Sequence, residues 1–234
     1  MCATGAGMKT AEGRFITLEG GEGAGKTTQI VHLADWLRQR GVTCTVTREP
    51  GGTGLGRKIR ALLLDPDHAG MSPETELLLY MADRAQHIGS VIRPALARGE
   101  TVVCDRYFDA TLVYQGAARG LPTERIQRLH DLVFDGLNPD LTLLLDLPVE
   151  TGLARARQQL DAGGRVRQES RFEAEDVLFH ERVRAGYLDL ARRHPDRFRV
   201  VDAARDEARV QDDIRRVVAP FLCGCTTSQG ISDP

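Results

Sequence analysis

The segment Gly20-Gly21-Glu22-Gly23-Ala24-Gly25-Lys26-Thr27 follows directly on the apolar run Phe15-Ile16-Thr17-Leu18. Two glycines with four residues between them, then Lys and Thr, form the phosphate-binding pattern, here in its required place after a strand and before a helix. Glycine tolerates positive φ and lets the main chain close around an anion, so loop N–H groups can wrap a polyphosphate. The helix N-terminus adds unpaired donors and its dipole. Lys26 is expected on the outer phosphates and Thr27 on the magnesium ion that bridges them. A glycine-rich helix cap is the plain alternative, but the strand and the Lys-Thr ending favour a nucleoside triphosphate site. A chain built this way is expected to be α/β.

The 234 residues carry a net charge of −2 and are 41% hydrophobic, enough for one sizeable α/β domain. A near-neutral balance argues against a general nucleic-acid binder, since phosphate backbones select basic surfaces. Lysine occurs only at Lys9, Lys26 and Lys58, one of them in the phosphate loop. No apolar run reaches the roughly 18–20 residues that cross a bilayer, and no signal-peptide core is seen. Cys2, Cys44, Cys104, Cys223 and Cys225 complete no metal site, and Cys44 and Cys104 sit in strand-like runs. A reducing cytoplasm is expected.

Strands are expected at Phe15–Glu19, Val42–Thr47, Thr101–Cys104, Leu141–Leu147 and Phe198–Val201. Helices are expected at Lys26–Arg40, from the Ser72 cap to about Arg98, and near Ala110–Ala118, Thr123–Phe134, Glu150–Gln159, Ala174–Arg193 and Glu207–Val218. The alternation predicts a three-layer fold, a parallel sheet of about five strands with helices on both faces and the ligand at the strands' carboxyl ends. Residues 1–13 and 220–234 are expected to be disordered, leaving a single domain at 14–219. Residues 161–171 carry Gly163-Gly164 with Arg165, Arg167 and Arg171, and read as a mobile lid.

Arg48 falls just past the second strand and Arg106 just past the third, in Thr47-Arg48-Glu49-Pro50-Gly51-Gly52-Thr53 and Asp105-Arg106-Tyr107. Two guanidinium forks just past two central strands suit a second phosphate group at the crevice. Tyr80 and Arg84, four apart on one helix, could stack on a planar base and bond its edge. Thr111, Tyr114 and Gln115 repeat that spacing on another helix. For both sets, an ordinary core aromatic or helical side chain is the alternative.

The phosphate loop, the Thr47–Thr53 segment, Tyr80–His87 (Tyr-Met-Ala-Asp-Arg-Ala-Gln-His) and Asp105–Gly116 together resemble bacterial thymidylate kinases, in the same order over about residues 14–218. The resemblance implies a P-loop kinase fold and ATP-dependent phosphorylation of dTMP to dTDP, toward dTTP, in a homodimer. ATP would lie on Gly20, Gly21, Glu22, Gly23, Ala24, Gly25, Lys26, Thr27 and Thr28. It implies thymine on Tyr80, with Arg84 and Thr111 at the base edge and Gln115 in the same dTMP site. Arg48 and Arg106 would hold the acceptor phosphate, with Glu22 and Tyr114 near the deoxyribose. Asp105 would help Thr27 organise the magnesium. Ala110 stands where the family often has serine, which removes a hydroxyl from the base-edge network.

Phosphoryl transfer asks for positioning and charge neutralisation, and a nucleotide monophosphate needs no obligatory general base. Lys26, Arg48 and Arg106 would supply charge. Because Glu22 makes the loop acidic, a further arginine is expected from the lid: Arg171 first, then Arg167 or Arg165. A kinase for another nucleoside monophosphate is the close alternative. A nucleotide-gated switch is the distant one, since no Asn-Lys-x-Asp segment occurs.

Overall fold

The computed structural model describes residues 13–161 and 171–223. Strands β1 (Phe15–Glu19), β2 (Cys44–Arg48), β3 (Thr101–Asp105), β4 (Leu141–Asp146) and β5 (Phe198–Asp202) form one parallel sheet. Their order is β2-β3-β1-β4-β5, with β1 central. β1 is buried along its whole length, as expected of a strand covered on both faces. Its side chains alternate between two cores. Phe15 faces one with Val102 and Cys104; Ile16 and Leu18 face the other with Val103.

Helices α1 (Lys26–Arg38) and α9 (Glu207–Cys223) cover the second face through Ile30, Leu33, Leu37, Val210, Ile214 and Val218. The first face is covered by α2 (Gly54–Leu64), α3 (Pro73–His87), α6 (Thr123–Phe134) and α8 (Val177–Arg193), through Leu63, Leu77, Met81, Ile126, Phe179 and Val183. Helix α7 (Val149–Asp161) follows β4. This is the layered parallel architecture that the alternating pattern predicts.

The differences from expectation are local. Helix α2 is not among the expected elements. Thr53 caps it, its Oγ1 accepting from the Gly56 N–H at 2.9 Å. Gly56 is there for contact: a Cβ would lie 2.3 Å from Asp83 Oδ1 on α3. The long helix expected from Ser72 to about Arg98 is α3, a π-helical turn at Ile88–Ile92, and α4 (Arg93–Ala97). Pro94 sits just past the wide turn; it cannot donate to the preceding turn, and such irregularities accompany a proline within a helix. A second π-helical turn, Leu112–Ala118, follows α5 (Phe108–Thr111).

Helix α8 begins three residues later than expected, where Asp176 accepts from the Phe179 N–H at 2.7 Å. Helix α9 runs through Pro220 to Cys223, past the expected start of the tail at 220, because Phe221 and Leu222 still pack on the core. The expected N-terminal extension, apart from Gly13, and most of the lid lie outside the described residues, as does the tail beyond Cys223.

Candidate active site

β1 delivers the chain to the phosphate loop, and α1 begins at Lys26 behind Gly25, whose φ is 83°. Gly23, at φ 67°, lies against α7, where a Cβ would meet the Gly152 carbonyl oxygen at 2.0 Å. Lys26 is buried, and its Nζ donates to the carbonyls of Gly20 at 3.1 Å and Gly21 at 2.9 Å. Burial, then the nearby Arg106 charge, lowers its pKa to about 8. Thr27 Oγ1 donates to Asp105 Oδ2 at 3.4 Å, which brings the expected metal pair together at the end of β3. Both offer oxygen, the donor type that magnesium prefers. Among the described residues no group of three or more His, Cys, Asp or Glu could hold a metal alone.

From the loop a cleft of about 570 Å³ opens along the carboxyl ends of β2 and β3. Lys26, Thr27, Thr28 and Asp105 line one part of it. Arg48, Arg106 and Tyr114 line it further on, and Tyr80, Arg84, Ala110, Thr111 and Gln115 also face it. Among the described residues, those expected at the two substrate sites therefore share one cavity, apart from Gly20, Gly21 and Arg171.

Arg106 has φ 67°, one of two non-glycine positive values among the described residues. That conformation costs energy and persists only where neighbours fix it. Here the Arg106 N–H donates to the Leu18 carbonyl at 3.1 Å, and the Cys104 thiol donates to the Arg106 carbonyl at 3.0 Å. The next N–H, of Tyr107, donates to Glu19 Oε1 at 2.8 Å. Arg106 Nη1 donates to the Gly20 carbonyl at 2.9 Å and to the Tyr187 hydroxyl at 3.1 Å, and Nη2 to Glu22 Oε1 at 2.7 Å. The Tyr114 hydroxyl donates to the same Glu22 oxygen at 3.1 Å, and the Arg106 guanidinium lies 5.0 Å from the Tyr114 ring centre. Glu22 thus holds Arg106 and Tyr114 together. Glu19 lies under this cluster, its other oxygen accepting from Tyr187 at 2.7 Å, and burial, with Asp109 nearby, raises its pKa to about 8.

Arg84 is fully buried between the rings of Tyr107 and Phe108. Its Nε donates to Glu49 Oε2 at 2.8 Å, and its Nη2 to Thr111 Oγ1 at 2.9 Å. The other Glu49 oxygen bonds His87 Nδ1 at 2.8 Å, and His87 Nε2 reaches Thr47 Oγ1 at 2.6 Å. Asp83 accepts from the Gly51 N–H at 3.2 Å, and burial, then Glu49, raises its pKa to about 6. The base-edge candidates are thus tied to carboxylates behind them. Gln115 Nε2 likewise donates to the buried Glu76 at 2.7 Å.

Arg171 is placed differently from what the sequence suggests. Its Nε donates to the Leu63 carbonyl at 2.7 Å, its N–H to the Leu64 carbonyl at 3.1 Å, and its Nη2 to Glu76. It is buried and does not line the cleft, so it anchors the chain to α2 and α3 instead of reaching the phosphates. Apolar neighbours and a buried carboxylate offered that guanidinium a partner which sequence spacing does not reveal. Arg165 and Arg167 lie outside the described residues.

Sequence reasoning missed Glu19, Glu49, Glu76, His87 and Tyr187 as supports. For α3 a signal existed: Glu76, Asp83, Arg84 and His87 occupy core-facing positions in register with Leu77 and Met81, where charge is unexpected unless paired.

The family model for thymidylate kinase matches residues 18–214. A thymidylate kinase of Desulfosudis oleivorans is 63% identical over 196 residues, covering 84% of this chain and 92% of that protein. One of Pseudomonas syringae is 54% identical over 210 residues, covering 90% and 97%. Among solved structures, the crystal structure of a thymidylate kinase from Ehrlichia chaffeensis superimposes with a TM-score of 0.70 at 33% identity, covering 88% of this chain and 99% of that one. This chain belongs to the thymidylate kinase family, transferases that phosphorylate dTMP.

Proposed function

We propose that the chain transfers the γ-phosphoryl of ATP, bound with Mg²⁺, to dTMP within this one cleft, each residue acting in the part of the cavity it lines. The carrying observation is that the phosphate loop, two strand-end arginines and the Tyr80, Arg84, Thr111 and Gln115 set face a common cavity. ATP phosphates sit on Gly20–Thr28, where loop N–H groups and the start of α1 favour anions. Lys26 supplies charge to the transferring group. Thr27 and Asp105 hold Mg²⁺ together with phosphate oxygens; when bound, it neutralises charge on the phosphates. Arg48 and Arg106 orient the acceptor phosphate, with Arg106 aimed by Glu22, the Gly20 carbonyl and Tyr187. Thymine lies on Tyr80 with Arg84 and Thr111 at its edge, and Tyr114 fills the space that a 2′-hydroxyl would need. Arg165 and Arg167 serve as lid donors, and Arg171 as the anchor of the lid's end.

A homodimer is supported by exposed apolar side chains on neighbouring helices: Leu55 and Leu62 on α2, Leu78 on α3, Leu132 and Val133 on α6. Light scattering at micromolar concentration tests it. A cytoplasmic setting accords with the free thiols of Cys44 and Cys104; no helix among the described residues is long and apolar enough to cross a membrane.

A coupled assay of ADP release across a panel of nucleoside monophosphates tests the whole reading. Fast release only with dTMP is expected. A flat, slow response to every acceptor excludes it.

A further inference from the structure

Gln115 lines the cleft, and the orientation of its amide is set by Glu76 behind it. Glu76 stands on the first turn of α3 and is fully buried. Its Oε1 accepts from Gln115 Nε2 at 2.7 Å and from Arg119 Nε at 3.5 Å. Its Oε2 accepts from Arg119 Nη2 at 3.4 Å and from Arg171 Nη2. Arg119 is further held by Glu175 at 2.6 Å. Guanidinium groups can only donate. Both carboxylate oxygens are therefore committed as acceptors, and the group of Gln115 that faces Glu76 has to be its NH₂. An amide fixed by its nitrogen has its carbonyl oxygen left for the cleft.

We propose that Glu76 is a specificity-determining positioning residue: it locks the Gln115 amide so that the carbonyl oxygen accepts the N3–H of the acceptor base. Thymine carries a hydrogen at N3, whereas cytosine presents a lone pair there. A fixed acceptor opposite N3 bonds the first and repels the second, and it leaves a buried polar group unpaired with the wrong base, which discriminates more strongly than shape alone. A freely rotating glutamine would serve either base. The role also explains why Arg171 and Arg119 converge on one buried carboxylate away from the phosphates. The inference rests on the reading of the cleft as a dTMP site.

Glu76→Gln is nearly isosteric, but its amide can donate as well as accept, so it releases Gln115 to flip. The ratio of kcat/KM for dTMP over dCMP is expected to fall tenfold or more, chiefly through KM. The same substitution placed in a Gln115→Ala background is expected to leave the ratio of that background unchanged. A folded Glu76→Gln enzyme with the wild-type ratio, or an equal drop in both backgrounds, overturns the assignment. Should Glu76→Gln not fold, a neutron structure of the wild-type dTMP complex decides. Two deuterons on the Gln115 atom facing Glu76 support the lock, and the reverse orientation refutes it. If the wild-type protein shows no preference for dTMP at all, the functional reading fails, whatever the variants do.

Discussion

At the end of the cleft proposed for the phosphoryl donor one unbroken stretch, Glu22–Thr28, supplies the loop amides, the lysine and the hydroxyls. At the end proposed for the acceptor, Arg84 comes from α3, Thr111 from α5, Gln115 from the π-helical turn after it, and Arg48 and Arg106 from two strand ends. In the loop the lysine is satisfied locally, Lys26 being bonded to carbonyls five and six residues away in sequence. In the acceptor end the pairs are long-range: Arg84 with Glu49, Gln115 with Glu76, Arg106 with Glu22. A local device can lose a side chain and keep its fold. A wall of cross-element ion pairs and hydrogen bonds couples recognition to stability, so damage there should register in both.

The sharpest test of that coupling is Arg84→Ala. It strips the guanidinium partner from Glu49, whose side chain is 2% exposed, and leaves that buried carboxylate with His87 alone. Breaking a buried pair from one side costs about 3–5 kcal/mol. Urea unfolding should show a loss of this size, together with loss of dTMP use. A variant of wild-type stability would show that the acceptor wall is as locally built as the loop.

Lys26→Met probes the other side of the comparison. Removing a charge-stabilising donor from a reacting group typically lowers kcat about 10²–10³-fold. Steady-state turnover should fall by that order, while the urea midpoint and dTMP binding stay close to wild type. A loss of dTMP affinity matching the loss of turnover would mean that the two ends are not separable.

This difference also governs what was legible beforehand. The strand order of function, from loop to strand-end arginines, follows from alternating apolar runs and from glycine placement, both local properties. The partners of Arg84, Gln115 and Arg171 lie 35, 39 and 95 residues away in sequence, and nothing in spacing names them. Arg171 shows the consequence: read as a lid donor from its neighbours, it is claimed by Glu76 through tertiary packing. Helix α2 escaped for a related reason. Gly56 is required there by Asp83 on α3, which presses on the place of its Cβ, a contact that sequence spacing does not show.

Tyr114 lies where the two ends meet, sharing Glu22 with Arg106. Tyr114→Phe keeps the ring and deletes one hydrogen bond, which is worth about 1 kcal/mol net. A several-fold rise in KM for dTMP is expected, with the preference for deoxy over ribo acceptor retained because the ring still fills the space. Tyr114→Ala should erode that preference. If Tyr114→Ala leaves it intact, the ring does not face the sugar.

The smallest effect belongs to pH and separates the ends without any mutation. Burial lowers the Lys26 pKa to about 8, and a triphosphate binds best to the charged ammonium. With that pKa, the protonated fraction falls about fourfold between pH 7 and pH 8.5, so ATP affinity of the free enzyme should weaken by about that factor. Bound phosphates favour the charged form and will push the lysine back up, so the effect belongs to binding and fades at saturating ATP. For stability the sign is opposite. Between about pH 8 and pH 10.5 the unfolded chain holds a proton on Lys26 that the folded chain has lost, so this group adds stability as pH rises through that window. Calorimetric titration of ATP and of dTMP at both pH values distinguishes the ends: ATP binding should weaken on the alkaline side while dTMP binding holds. If both weaken together, Lys26 is not the group responsible, and the independence of the donor loop from the acceptor wall does not hold.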